Sequence, residues 1–116
     1  MTYAFYPARC IKAIFLFCDA SVLNDSQLLR IYATEASKEL KLGSVKEFYI
    51  WLNPMGFTLS VALSKGHLVI DTNVNQRAAV VYVYTALSDP DLHACLKYLS
   101  RNFKAQCCES YERVIN

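Results

Sequence analysis

From Phe57 to Ser64 the chain alternates without interruption. Phe57, Leu59, Val61 and Leu63 are bulky and apolar, and Thr58, Ser60, Ala62 and Ser64 between them are small. Successive side chains of a strand point to opposite faces, so a period of two specifies a strand with one buried face. The flanking segments repeat the theme. Lys46 to Asn53 reads as a strand with Phe48, Ile50 and Leu52 on one face and Tyr49 and Trp51 on the other. Pro54-Met55-Gly56 makes the turn between the two. Lys65-Gly66 is the next turn. Leu68 to Thr72 and Ala78 to Thr85 follow as strands around a polar loop containing Asn73, Asn75, Gln76 and Arg77, and Ile11 to Cys18 is a further strand near the start.

The period changes in two places. Asn24, Asp25 and Ser26 offer N-caps, after which Leu29, Tyr32, Ala36 and Leu40 recur at helical spacing to about Leu42, with Gly43 as the C-cap. Ser88-Asp89-Pro90 opens a second helix, with Pro90 in its first turn and a buried stripe of Leu92, Cys95, Leu96, Leu99 and Phe103. A short strand from Gln106 to Val114 ends the chain. The order β-α-β-β-β-β-α-β, with two helices on one face of a largely antiparallel sheet, predicts a two-layer α/β (α+β) sandwich in one domain over residues 1–116.

The other face of that sheet would carry Ile14, Leu16, Tyr49, Trp51, Val80, Tyr82 and Tyr84. That is more apolar and aromatic area than a monomer leaves wet. Two such sheets packed about 10 Å apart would bury it, so a homodimer with helices outside and sheets inside is expected. The alternative is a monomer with a partly solvated aromatic face.

Composition excludes several functions. With 54% apolar residues the chain of 116 is not disordered, and it can bury roughly two thirds of its unfolded surface in one core. The net charge of +2 is scattered, with no basic stripe for nucleic acid. No apolar run approaches the ~20 residues of a membrane span. Ile11 to Cys18 is short and lacks the basic lead and cleavage site of a signal peptide, so a cytoplasmic location is expected. The five cysteines, Cys10, Cys18, Cys95, Cys107 and Cys108, are odd in number and form no CxxC. No metal site is expected, and the cysteines read as reduced thiols of a cytosolic core rather than as redox groups.

One stretch carries more than fold. Ser64-Lys65-Gly66-His67-Leu68-Val69-Ile70-Asp71-Thr72, followed by Ala79-Val80-Val81-Tyr82-Val83-Tyr84-Thr85, resembles the centre of the bacterial and archaeal type of S-adenosylmethionine decarboxylase. Phe17-Cys18-Asp19 through Val22-Leu23-Asn24 is similar to that family's first strand and acidic turn. Asn53-Pro54-Met55-Gly56 resembles its Pro-x-Gly turn, and Leu96-Lys97-Tyr98-Leu99 through Phe103-Lys104-Ala105 its last helix. The resemblance runs from about Arg9 to the C-terminus and needs no gap between Gly66 and Ala86.

What the resemblance implies is instructive at each position. The family has Glu-Ser-His where this chain has Lys65-Gly66-His67; its serine breaks its own peptide bond and becomes a pyruvoyl cofactor. Here the self-processing serine falls on Gly66, the preceding glutamate on Lys65, the processing histidine on Asp71 and the proton-donating cysteine on Ala86. The adenine-stacking aromatic falls on Leu52, beside Trp51; the ribose-holding acid falls on Asn75; the serine after the Pro-x-Gly turn becomes Thr58. Glycine has no side-chain oxygen and cannot undergo the acyl shift. Decarboxylation needs an electron sink, normally a cofactor, and no lysine offers a pyridoxal-phosphate context. No cofactor, and in particular no pyruvoyl group, is therefore expected.

Three functions remain open. One is a silent relative that binds S-adenosylmethionine or a related nucleoside, as a regulator or as a partner subunit in a heteromer with an active paralogue. Aromatic faces suit its sulfonium at ~0.5–2 kcal/mol per contact, with Trp51, Tyr82 and Tyr84 as candidates and Asp71 as a carboxylate; these aromatics could equally be filling a sheet-sheet core. The second is a lyase that folds the substrate so that its own carboxylate attacks the γ-carbon, releasing methylthioadenosine and homoserine lactone, with His67 and Asp71 as candidate catalytic residues. His67 is either a structural hydrogen-bonder or a group acting near neutral pH. The third is an interaction module without a ligand. The binding candidates are thus Trp51, Leu52, Thr58, Gly66, His67, Asp71, Asn75, Tyr82 and Tyr84.

Overall fold

The computed structural model describes residues 8–85 and 91–115. Its elements are β1 (Ala8–Leu16), α1 (Ala20–Leu23), α2 (Ser26–Leu40), β2 (Val45–Asn53), β3 (Gly56–Leu63), β4 (Gly66–Asn73), β5 (Ala78–Thr85), α3 (Leu92–Phe103) and β6 (Cys107–Ile115). The strands form one sheet in the order β2-β3-β4-β5-β1-β6. Every neighbouring pair is antiparallel. The predicted α/β sandwich is therefore present, with α1 added as a short turn of helix.

Local chemistry explains where each element stops. Phe17 takes a φ of 56° and ends β1 at Leu16, two residues before the expected boundary. The displaced Cys18 N–H then donates to the Arg77 carbonyl at 2.9 Å. Asp19 caps α1 through the Ser21 N–H. Of the three N-cap candidates for α2, Asp25 does the work: its carboxylate accepts from the N–H groups of Gln27 and Leu28, both at 3.1 Å. The C-cap is Lys41, at φ 58°, and not Gly43. Gly43 instead backs onto Ser64, whose Cβ would lie 2.6 Å from a Cβ at position 43. The expected opening of the second helix at residues 88–90 lies outside the described residues; Asp91 caps α3 through the Ala94 N–H. Its other end closes with Lys104 in the left-handed region and the Ala105 N–H returning to the Ser100 carbonyl.

The core lies between the helices and one face of the sheet. Ile11 and Phe15 of β1, Leu59 and Val61 of β3, Leu68 and Ile70 of β4, and Val81 and Val83 of β5 are all buried there. Leu29, Ala36 and Leu40 of α2 and Cys95, Leu99 and Phe103 of α3 close over them. Phe15 meets Phe103 edge to face, with centroids 5.6 Å apart. No helix among the described residues is long and apolar enough to cross a membrane.

The alternate residues make the open face, and the register fixes their neighbours. Ile14, Val80, Asp71, Thr58 and Trp51 lie in one row across β1, β5, β4, β3 and β2. Lys12, Tyr82, Val69, Ser60 and Tyr49 form the next row, and Cys10, Tyr84, His67 and Ala62 the one beyond. The face proposed from sequence alone is the one the sheet leaves uncovered, with Tyr49, Trp51 and Tyr84 exposed.

Candidate functional site

The candidate residues divide between the two ends of the open face. At the hairpin end, Asn53 sits where β2 turns into β3. Its side-chain oxygen accepts from the N–H groups of Met55 and Gly56, both at 2.7 Å, which locks the Pro54-Met55 turn. Its amide nitrogen donates to the Thr58 hydroxyl at 2.9 Å, and that hydroxyl donates to Asp71 Oδ1 at 2.5 Å. Asp71 is thereby oriented by a chain of three side chains across three strands. Its second carboxylate oxygen has no hydrogen-bond partner among the described residues. Asp71, Asn73 and Gln76 line a cavity of about 360 Å³ with an apolar side of Pro54, Met55, Ala78 and Val80. Trp51, half exposed, stands opposite Thr58 in the row.

At the other end, Tyr82 and Tyr84 stack with centroids 6.3 Å apart and planes 15° from parallel. The Lys12 ammonium lies 5.8 Å from the Tyr82 ring centroid. Partial burial, with the hydrogen-bonded Cys10 thiol next in weight, raises the Tyr84 phenol above its ordinary range. Tyr84 is therefore a donor at neutral pH and not a base. His67 is exposed and pairs in register with Tyr84 and Ala62. Four residues of extended strand separate His67 from Asp71, about 13 Å. One chain alone does not bring His67 and Asp71 together.

Gly66 explains itself in the structure. It is the first residue of β4, so the turn falls on Ser64-Lys65 and not on Lys65-Gly66. A Cβ on Gly66 would stand 2.5 Å from the Tyr84 carbonyl oxygen and 2.9 Å from Leu42 Cδ1. The Lys65 carbonyl accepts from the Thr85 hydroxyl at 3.2 Å, and the Lys65 N–H bonds Leu42 O at 2.9 Å. Position 66 thus has neither a side-chain oxygen nor room for one. The residues present do not fit a pyruvoyl group made from the chain at this point. Ala86 lies outside the described residues.

Two candidates take other places. Leu52 is 75% exposed and lies on the helix side of the sheet, opposite Phe57, so it does not share a face with Trp51. Asn75 is exposed in the β4–β5 turn, away from the rows. Sequence reasoning missed Asn53, Cys10 and Lys12. The last two were findable, because they alternate with Ile14 and Leu16 along β1. A larger cavity of about 430 Å³ lies between α3 and β6, on the helix side of the sheet and away from the open face. Among the described residues no cluster of His, Cys, Asp or Glu could hold a metal.

An antiparallel sheet with helices on one side and a polar-rimmed aromatic face on the other together describe a decarboxylase-type sandwich. The family model for S-adenosylmethionine decarboxylase matches residues 13–113, and the chain belongs to that family. It is 27% identical over 89 residues to the S-adenosylmethionine decarboxylase proenzyme of Pyrococcus horikoshii, a stretch that is 77% of this chain and 64% of that protein. The Pyrococcus abyssi proenzyme matches equally, at 27% over 89 residues, again 77% of this chain and 64% of the relative. The match therefore spans under two thirds of these relatives' length. The crystal structure of the adenosylmethionine decarboxylase from Aquifex aeolicus superposes with a TM-score of 0.78 at 21% identity, covering 95% of this chain and 91% of that one, which shows the shared fold.

Proposed function

We propose that this chain is a non-self-processing member of the family. On this reading it binds S-adenosylmethionine or a close nucleoside derivative and acts as a regulatory or partner subunit, without pyruvoyl-dependent decarboxylation. The observation that carries the reading is at Gly66. The residue lacks the oxygen that self-cleavage requires, and the Tyr84 carbonyl and Leu42 occupy the space a side chain would need.

The open face supports the binding half of the proposal. Trp51, Tyr82 and Tyr84 offer π-faces to a sulfonium, and the Asn53-Thr58-Asp71 chain presents a fixed carboxylate beside a cavity of about 360 Å³. Two copies packed open face to open face would cover the exposed aromatics. A two-fold axis passing near Tyr82 would lay the Asp71 end of one copy over the Tyr84 end of the other, so each ligand would lie between subunits.

The test combines intact mass with ligand binding. A single 13.2 kDa species, a melting temperature raised by S-adenosylmethionine and unchanged nucleoside on chromatography are the expected results. Fragments divided after Lys65 with release of CO2 would overturn the proposal. Methylthioadenosine among the products would mark a lyase, and no heat in calorimetry would mark an interaction module.

A further inference from the structure

The two edges of the sheet are built differently. The β2 edge is broken by a register shift between Val45 and Glu47 and carries Lys46, devices that discourage strand addition. The β6 edge has no register shift and no lysine, and its charges, Glu109, Glu112 and Arg113, are of both signs. Its nine residues run in unbroken register against β1, with no proline and no glycine. The helix side of β6 is also open, since the cavity of about 430 Å³ separates it from α3 and is lined by Cys108 and Ser110. Tyr111 is 55% exposed. Arg113 stands opposite Cys10 and makes no ion pair among the described residues, whereas Glu112 already holds Arg9.

We infer that β6 pairs edge to edge with β6 of a second copy of this chain, antiparallel and centred on Tyr111. The choice of occupant follows from charge. A two-fold axis normal to the sheet keeps both copies' helices on one side, and a residue can then face only one of its own parity. Centring on Glu109 or on Glu112 sets two like carboxylates directly opposite each other. Centring on Ser110 sets Glu109 against Tyr111 and leaves Arg113 without a charge partner. Centring on Tyr111 places Glu109 opposite Arg113 on both sides of the axis, with the two tyrosines between them and Ser110 opposite Glu112. Opposite charges directly across a strand pair attract and like charges repel, so this register is the one that β6 favours with itself.

The edge contact is separate from the open-face pairing proposed above, and its test does not depend on that pairing. Light scattering on the full chain should give half the wild-type mass, at matched concentration, for Arg113→Glu and for Glu109→Arg. Each substitution sets like charges opposite one another twice. Combining the two exchanges the charges and should restore the wild-type mass. Register is read separately, with Cys107 and Cys108 changed to Ser. Tyr111→Cys then meets its own copy within disulfide range and should form covalent dimers on oxidation, while Ser110→Cys should not. Unchanged mass in the single variants, a double variant that stays at half mass, or no cross-link at position 111 would each overturn the inference.

Discussion

Gly66 is backed against the carbonyl of Tyr84: a Cβ at position 66 would come within 2.5 Å of that oxygen. Because β4 and β5 are paired through Thr85 at this point, the obstacle is backbone and cannot swing aside. On the proposed reading, installing serine here should not produce self-cleavage. Gly66→Ser should destabilise the fold by about 1–3 kcal/mol through overpacking. At about 4 °C per kcal/mol for a domain of this size, the melting temperature should fall by roughly 4–12 °C. Mass spectrometry should still show one uncut chain.

Thr72 offers a second measure of how the hairpins are tied down. Its buried hydroxyl accepts from the Phe57 N–H at 2.9 Å and donates to the Leu23 carbonyl at 3.2 Å, joining β4 to β3 and to α1. Thr72→Val keeps the shape and orphans both groups. A loss of about 1–3 kcal/mol in urea unfolding is expected, with little change in slope.

Binding should depend on the hairpin end of the open face. Asp71→Ala should weaken S-adenosylmethionine by about tenfold or more, the loss of one charge-assisted contact. Trp51→Ala should cost about 2–30-fold, the range of one cation–π contact. Leu52→Ala should leave affinity unchanged, because Leu52 lies on the opposite side of the sheet. Isothermal calorimetry on the three variants checks all of these.

The cysteines should separate into two classes. Burial pushes the Cys18 thiol up to about 11, against the nearby Arg77, and the Cys95 thiol up to about 12. An unfolded thiol releases its proton near 9, so between 9 and these values the folded state holds more protons than the unfolded one. The associated stability is intact below pH 9 and is lost progressively as pH rises towards 11 and 12. Alkaline unfolding should begin in that window. At neutral pH a thiol reagent should modify exposed Cys107 and Cys108 at once, and Cys18 and Cys95 only on unfolding.

At the acid end Asp19 offers a test. Hydrogen bonds from the Ser21 hydroxyl and N–H hold its carboxylate below the ordinary range, with Lys104 adding a smaller attraction. A depressed carboxylate stabilises the fold above the unfolded value and loses that contribution as pH falls through the folded one. Asp19→Asn should therefore lower the melting temperature modestly at neutral pH, where the carboxylate contributes, and flatten the acid limb of the curve below about pH 4, where it no longer does.

Most of the architecture was legible in the amino-acid order because alternation is a local property. Phe57 to Ser64 declares its two faces without reference to any partner, and Asp25 announces a helix start with its own side chain. Boundaries were less legible. Phe17 and Lys41 adopt left-handed backbone that their side chains do not advertise, so β1 ends early and α2 closes before Gly43. The open face was partly legible: Trp51, Thr58, Asp71, Tyr82 and Tyr84 all lie on it, but Leu52 does not, and Asn53, Lys12 and Cys10 were not assigned to it.

The missing hydroxyl at position 66 is a fact of covalent structure, and the sequence alone determines it. That no larger side chain fits there was decided by tertiary structure, because the obstructing carbonyl and methyl belong to residues 84 and 42. The same division holds for the face and edge of the sheet. Alternation assigns residues to a side, but only strand order and register bring Asn53, Thr58 and Asp71 into one hydrogen-bonded chain or leave β6 as an open edge. Local periodicity fixes which way a side chain points; its neighbours are set by pairings between segments far apart in the chain.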